Sequence, residues 1–512
     1  MFSISSKIGY SRGSISSDGP LVSGAEIIEV DIVDPRNWPK RTKVFMSLGG
    51  ILAVFVATLG NSMYIGSVNG VQEHFHISLT LALSPITFYS LGFSFGPLVA
   101  TATSEVFGRA IVYRTAIAVA LIFTVVSASA HSFATLAVGR FLAGAAVSPC
   151  LGATVAMLND LWDLHTDKVG IILSIIWGLS LIWAACLGPL IGEAIVQRTE
   201  NWRWSMWLIA ILLGVTSLCL LRNHETYMPE ILRRDGKRRG QAVLPRGNLG
   251  ELLYVSIGRP LHMLLVEPII FPTALLVAFS QAILFVFYVA YPLMLTTVYS
   301  FTPIEIGCAF LPMLIGTFCA FGILGVFNKK AQESTKPRQL EHQLYPAMIG
   351  SIMQPVALFW LAWSARPSVH WIAPLLSGLF YGCAFVLVQY PFPMYKVLVY
   401  GKEYGASISA VDISIRYLLS SVCPLFTVQM VKRLTFAWAM SLLAFISLLM
   451  LPVPWVILKW GPELRARSKY MAKAKDHDNP PNDAKATVIT DCGANDINVE
   501  ASVQPGSANE KV

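Results

Sequence analysis

The sequence predicts an all-α membrane protein with twelve transmembrane helices, and three observations lead to this fold class. The chain has 512 residues, of which 54% are hydrophobic and only 13% are charged, whereas about a quarter of the residues in soluble domains are charged. The charged residues gather between long apolar runs and at the two termini. Each apolar run reaches the roughly 20 residues that a helix needs to cross a bilayer.

The apolar runs form two groups of six, separated by a polar stretch that contains the segment RRDGKRRGQ. We therefore predict a six-helix half over residues 44–221, a linker over 222–268 and a second half over 269–458. An arm, 1–43, and a tail, 459–512, are expected to be disordered because their composition is polar. The predicted spans are 44–66, 82–103, 111–130, 134–157, 169–193 and 204–221, followed by 269–296, 304–327, 344–363, 371–394, 406–430 and 435–458.

The basic residues predict the orientation of the chain in the membrane. With the N-terminus in the cytosol, 31 of the 38 Lys and Arg residues fall on the inner side of the predicted spans. Five fall on the outer side, and Arg140 and Arg416 fall within spans. Because cytosolic loops are enriched in Lys and Arg, we expect both termini to be cytosolic.

The sequence also narrows the possible chemistry. It contains neither a phosphate-binding GxxxxGK[ST] loop nor a recognisable Ser/His/Asp set, and its eight cysteines are scattered. We therefore expect no enzymatic activity, no metal site and no cofactor. The net charge of +8 maps to one side of the membrane, so nucleic acid is not an expected partner. We expect a monomer in a lipid bilayer.

The turn after the second predicted span carries the segment SEVFGRA, Ser104 to Ala110. Glu105 and Arg109 lie four residues apart, and Gly108 permits the tight bend between them. These two charges can form a relay against neighbouring helix ends. Alternatively, they only mark the topology and cap the turn.

Arg140, Asp412 and Arg416 are charged residues that lie well inside predicted spans. Arg140, in RFLAGAAVSP, should face the bundle interior and have a partner, because a charge at the bilayer centre costs about 2.5 to 3.5 kcal/mol. A purely structural arginine is the alternative. Asp412 and Arg416 lie one turn apart on one helical face, which predicts that they pair. Protonation of Asp412 could then release Arg416, and a static ion pair is the equally weighted alternative.

The fifth predicted span reads GLSLIWAACLGPLIGEAI. Its Gly188, Pro189 and Gly192 combine small residues with a proline, which lets helices approach closely and pivot. Glu193 follows directly. It could cap the outer end of this helix or place an ionisable group near the exit.

These motifs resemble those of the fungal drug:proton antiporters of the major facilitator superfamily. The resemblance extends over about residues 34 to 468, from DPRNWP through NWRWSMW to the last span. Glu105, Gly108 and Arg109 match a loop motif that often reads SELYGRR in this family. Two positions depart from the family pattern, since relatives usually have glycine at Glu193 and often glutamate at Val289.

The resemblance implies a major-facilitator fold in which two six-helix halves alternate between inward-facing and outward-facing states. It implies a latch role for Glu105, Gly108 and Arg109, a role in proton transfer for Arg140, and an antiporter motif at Gly188, Pro189 and Gly192. Polar and aromatic residues in the spans that line the cavity of this fold are candidate substrate contacts, with helix packing as the alternative. They are Asn61, Tyr64, Trp177, Gln281, Tyr288, Gln354, Tyr381 and Gln389.

The expected function is proton-coupled export of small lipophilic compounds such as drugs, toxins or secondary metabolites. The proton gradient would supply the energy. Import or facilitated passage of a small nutrient is an alternative, and a membrane sensor without transport is another. We expect the plasma membrane as the location, although the vacuolar membrane fits the topology equally well.

Overall fold

The computed structural model describes residues 34–163, 167–239, 250, 254–333, 340–468 and 470. Every regular element among these residues is helical. Eleven of the described helices are long and apolar enough to cross a membrane. The predicted all-α, multi-pass fold is therefore confirmed.

The first half consists of eight helices, two pairs of which form single crossings. A short 3-10 segment, Met63–Ser67, joins the first two helices into one long crossing, Lys40–Phe75. The fifth and sixth helices likewise make one crossing, Phe133–Leu161. The helices are α1 (Lys40–Ser62), α2 (Val68–Phe75), α3 (Leu79–Phe107), α4 (Arg109–Ala128), α5 (Phe133–Val147), α6 (Pro149–Leu161), α7 (Lys168–Thr199) and α8 (Arg203–Leu221).

The linker and the second half follow the same helical pattern. A π-helical turn, Tyr254–Gly258, and a 3-10 segment, Leu340–Leu344, accompany the α-helices. The α-helices are α9 (Met228–Arg239), α10 (Arg259–Val266), α11 (Ile270–Tyr299), α12 (Pro303–Cys308), α13 (Leu311–Glu333), α14 (Tyr345–Ser364), α15 (Ile372–Gln389), α16 (Pro391–Met450) and α17 (Pro452–Ala466).

The 60-residue element α16 is too long for one crossing. At 1.5 Å per residue it would extend about 90 Å, roughly three times the thickness of the hydrocarbon core. Its backbone leaves helical geometry at Gly401, with φ of 73°, and at Thr435, with φ of 67°. The break at Thr435 separates two crossings, so the eleven long helices provide twelve.

Lys396 corrects one assignment made from the sequence. The predicted tenth span ends at residue 394, and the count of basic residues treated Lys396 as part of a cytosolic loop. In the structure the helix continues past Lys396 to the break at Gly401. The Lys396 side chain is completely buried, within a segment, Ile372–Gly401, that is long and apolar enough to cross a membrane.

The two halves meet tightly at one end of the bundle. We call the end from which the linker departs the linker end, and the opposite end the far end. At the far end, Gln429 donates a hydrogen bond to Thr80 of the other half at 3.0 Å. A Cβ atom on Gly307 would lie only 2.7 Å from the Cα atom of Leu190. The structure is therefore closed between the halves at the far end.

Candidate functional site

The turn between α3 and α4 at the linker end is held by two carboxylates, one from α6 and one from the segment between α8 and α9. Arg109 donates to Asp160 of α6 through Nε at 2.5 Å and through Nη2 at 3.3 Å. Glu225 accepts the backbone N–H groups of Arg109 at 2.8 Å and of Ala110 at 3.2 Å. Because the first N–H groups of a helix lack internal partners, Glu225 caps α4. Sequence analysis identified Arg109 but neither of its carboxylate partners.

Gly108 is required at this turn for two reasons. Its φ of 87° belongs to the left-handed region, and a Cβ atom there would lie 2.4 Å from Oε2 of Glu225. The predicted bend at Gly108 is therefore present. The side chain of Glu105 lies outside the residues that the structure describes, so the predicted latch role of this motif stays a prediction.

The linker helix α9 is tied to the same turn. Arg234 donates to Glu230 at 2.9 Å and lies 3.7 Å from the carboxylate of Glu225. Glu225 is almost fully buried, whereas Arg234 is 42% exposed. The linker thereby supplies part of the charge that balances the carboxylates at the α3–α4 turn.

Arg140 is buried in the first half, as predicted, with only 2% of its surface exposed. Its Nη1 donates to the carbonyl oxygen of Gly60 at 2.7 Å. Its guanidinium lies 4.2 Å from the ring centre of Tyr89 and 5.2 Å from that of Tyr64. Among the described residues, no carboxylate forms an ion pair with Arg140, and Nε and Nη2 lack hydrogen-bond partners. The sequence predicted a partner for Arg140, and in the structure that role is filled by a carbonyl group and two aromatic rings.

Gly188 and Gly192 pack α7 against the first crossing. A Cβ atom on Gly188 would lie 1.9 Å from Oγ of Ser62, and one on Gly192 would lie 2.2 Å from the carbonyl oxygen of Met63. Ser62 also donates to the carbonyl of Ala184 at 2.7 Å. The predicted close approach at this motif is present, and Pro189 lies within the helix between the two glycines.

The second half buries an ion pair that sequence analysis missed. Lys396 contacts the carboxylate of Asp412, and these side chains are 0% and 1% exposed. The expected Asp412–Arg416 ion pair is absent from the described structure, because Lys396 occupies the carboxylate. Arg416 instead reaches the backbone carbonyl of Asp412 at 3.4 Å. A lone lysine in the apolar segment PFPMYKVLVY was the available signal for this site.

Arg416 and Gln389 extend this site towards α11. Nη1 of Arg416 donates to Oε1 of Gln389 at 2.8 Å. Gln389 in turn donates to the carbonyl of Val277 at 3.0 Å and, more weakly, to Gln281 at 3.5 Å. Two predicted cavity residues, Gln281 and Gln389, therefore belong to a buried polar network with the two cations and Asp412.

Four other predicted cavity residues bond to neighbouring helices. Asn61 donates to Ser90, Tyr64 to the carbonyl of Ala82, Gln354 to Ser447 and Tyr381 to the carbonyl of Ser280. Trp177 is half-buried, and its Nε1 has no partner within the described part of the chain. Tyr288 also donates to a neighbouring helix, to the carbonyl of Ala185 at 3.2 Å, and in addition it lines a cavity of about 230 Å³ at the far end. A substrate role for these residues stays a prediction.

Comparisons with known proteins agree with this architecture. Residues 50–424 match the family model of the Major Facilitator Superfamily. Polyamine transporter 4 of Saccharomyces cerevisiae is 31% identical, over 90% of this chain and 76% of the relative. Efflux pump FUB11 of Gibberella moniliformis is 31% identical, over 83% of this chain and 73% of the relative.

The fold also matches a solved structure. The human organic anion transporter MFSD10 (TETRAN) superposes with a TM-score of 0.53, at 15% identity, over 81% of this chain and all of that chain. This likeness supports the arrangement of the helices alone. On the family match, the relatives and the fold, the chain is a multi-pass membrane transporter that belongs to the major facilitator superfamily and resembles its fungal drug exporters.

Proposed function

We propose that this protein is a proton-coupled antiporter that exports small lipophilic compounds by alternating access. The observation that carries the proposal is the buried contact between Lys396 and Asp412, beside Arg416. A carboxylate inside a membrane protein can take up a proton, and its neighbours then experience a change in charge. The resemblance to fungal drug exporters supports the direction of transport.

The energetics of this ion pair suit a coupling element. When Asp412 is protonated, Lys396 is left charged and buried without its partner. Removing one partner of a buried pair costs about 3 to 5 kcal/mol. Since 1.4 kcal/mol corresponds to a factor of ten, this cost can shift a two-state equilibrium by about two to three and a half orders of magnitude. Protonation would therefore favour a conformation in which Lys396 is hydrated or paired elsewhere.

The observed state has a place in such a cycle. The Lys396–Asp412 pair is formed and the far end is closed. If both termini are cytosolic, as the basic residues predict, the proposed cycle assigns this state to the step after inward proton release and before substrate loading. Proton uptake by Asp412 from the outside would then accompany substrate release, and the proton gradient would drive export without a cofactor.

The substrates would be hydrophobic drugs, toxins or secondary metabolites, a class that the similarity to fungal efflux pumps and drug antiporters supports. We propose that the protein acts as a monomer in the plasma membrane. Imaging of a fluorescent fusion protein tests this location, and labelling of the vacuolar membrane instead would overturn it.

Accumulation assays test the direction of transport. The protein is expressed in cells that lack their own exporters, and intracellular levels of a panel of toxic lipophilic compounds are measured with and without a protonophore. Export predicts lower accumulation that the protonophore restores. Higher accumulation would indicate import, and unchanged levels of every compound would favour a sensor; either result overturns the proposal.

A further inference from the structure

The far-end cavity lies between the two halves and contains one buried carboxylate. Its walls come from the first crossing, α3 and α7 of the first half, and from α11, α12 and α16 of the second. Glu193 of α7 lines the cavity with only 7% of its surface exposed.

The carboxylate of Glu193 has no compensating charge within the described part of the chain. None of the residues lining the cavity is Lys, Arg or His, and no described residue forms a hydrogen bond or an ion pair with the Glu193 side chain. Burial of an unpaired carboxylate is costly. A cation entering the cavity would offset that cost.

The remaining walls suit an organic cation better than a metal ion. Tyr288 and Phe301 provide aromatic rings, and Asn69 and Thr296 add two polar groups to an otherwise apolar lining. Aromatic rings attract quaternary and protonated amines through their π faces. The volume of about 230 Å³ is below the roughly 300 Å³ at which drug-sized pockets begin. The cavity therefore fits a compact ammonium ion that carries an apolar group.

We propose that Glu193 makes the far-end cavity a binding site for small lipophilic ammonium cations. The site extends the proposed export function on which it rests, because it would hold a cationic substrate at the last point before release. Val289 lines the same cavity from α11. A carboxylate can therefore be moved from one half to the other within the same cavity.

Binding measurements on the full-length protein in lipid nanodiscs test the site. The probes are benzyltrimethylammonium and its uncharged counterpart neopentylbenzene, which have the same shape. Calorimetry should show at least about tenfold tighter binding of the cation by the unaltered protein. Glu193→Gln should remove this preference without weakening the binding of neopentylbenzene. Glu73→Gln, which alters an exposed carboxylate on α2, is the matched control and should change neither affinity.

A double variant makes the test independent of local packing. Glu193→Gln combined with Val289→Glu should restore the preference for the cation, because the charge returns to the same cavity. Unchanged cation binding by Glu193→Gln would overturn the proposal. An equal loss of both probes, or no recovery in the double variant, would also overturn it, because the charge would then not be what the cavity recognises.

Transport assays separate this proposal from the proposed function. Glu193→Gln should export neutral compounds under a proton gradient as well as the unaltered protein does, while export of the cation falls about tenfold. If the gradient no longer drives export of neutral compounds, Glu193 carries the coupling proton and the cation site is wrong. If the unaltered protein binds the cation selectively but transports nothing, export is wrong and the site stands.

Discussion

The two halves of this transporter bury their basic side chains in different ways. In the first half, Arg140 lies against the Gly60 carbonyl and the rings of Tyr64 and Tyr89. In the second half, a carboxylate, Asp412, contacts Lys396 and lies next to Arg416. Both arrangements surround a buried cation with contacts, but among the described residues only the second contains a carboxylate.

We propose that this difference separates a fixed charge in the first half from a proton-coupling group in the second half. Arginine stays protonated in proteins, and a carbonyl oxygen or an aromatic ring does not titrate at physiological pH. The contacts of Arg140 therefore keep the same charge throughout a cycle. In the proposed mechanism, Asp412 would alternate between two charges and Lys396 would respond to that change. We expect the proton-linked switch to lie in the second half and a fixed positive anchor to lie in the first.

The largest expected effect comes from removing one partner of the ion pair. Lys396→Met leaves Asp412 buried without a cation and should lower the free energy of unfolding by about 3 to 5 kcal/mol. Unfolding in mixed micelles with increasing denaturing detergent measures the loss.

The double variant Lys396→Met, Asp412→Asn is the control for this prediction. It removes both charges together and should recover most of the stability, because a neutral pair carries little desolvation cost. A loss below about 1 kcal/mol in the single variant would show that the pair is not a buried one.

Arg140→Met should have the next largest effect. It leaves the Gly60 carbonyl without its donor, at a cost of about 1 to 3 kcal/mol, and removes the cation–π contacts with Tyr64 and Tyr89. The rate of export should fall, whereas its dependence on pH should keep the same midpoint. Export rates measured over a pH series check this, and a shifted midpoint would assign proton coupling to the first half.

Both halves also contain glycines that pack closely against a neighbouring helix, so the same substitution can be compared between the halves. Gly192→Ala should destabilise the first half by about 1 to 3 kcal/mol through overpacking, since its Cβ atom would meet the Met63 carbonyl at 2.2 Å. Gly382→Ala should do the same in the second half, where the Met313 carbonyl is 2.1 Å away. Thermal unfolding of both variants measures the effect.

Gly178 provides the matched control on the same helix as Gly192. A Cβ atom at Gly178 meets nothing within 4 Å, and alanine favours the helix by up to about 1 kcal/mol over glycine. Gly178→Ala should therefore be neutral or slightly stabilising. Equal destabilisation by Gly178→Ala and Gly192→Ala would contradict the packing explanation.

The smallest effect is expected at the linker end. Asp160→Asn weakens the ion pair with Arg109. The Asp160 side chain is 24% exposed and the Arg109 side chain is 12% exposed. Because both side chains keep some contact with solvent and asparagine retains an oxygen that accepts from Arg109, we expect a loss of about 1 kcal/mol. Detergent-induced unfolding measures it, and a loss as large as that of Lys396→Met would place the dominant charge contact in the first half instead.

Local sequence signals predicted much of this arrangement. Long apolar runs predicted the crossings because the bilayer forces the backbone to bond within each helix. The energetic cost of an intramembrane charge predicted the burial of Arg140. Gly188 and Gly192 were identified because small residues are the means by which membrane helices approach closely.

Features that depend on distant residues could not be predicted in the same way. Helical spacing suggested that Asp412 pairs with Arg416, but the break at Gly401 folds the chain so that Lys396 reaches the carboxylate first. Glu193 was recognised as unusual, yet its surroundings become apparent only when both halves enclose the far-end cavity. Spacing along one helix carries no information about a partner across a backbone break.

The most direct test compares Asp412→Asn with Arg140→Met in proteoliposomes that contain an exported compound. Two transport modes are measured, namely exchange of labelled for unlabelled compound without a gradient, and net movement driven by a pH difference. We predict that Asp412→Asn still exchanges the compound but no longer responds to the pH difference, whereas Arg140→Met responds at a reduced rate. Gradient-driven transport that survives in Asp412→Asn and disappears in Arg140→Met would contradict the assignment of coupling to the second half.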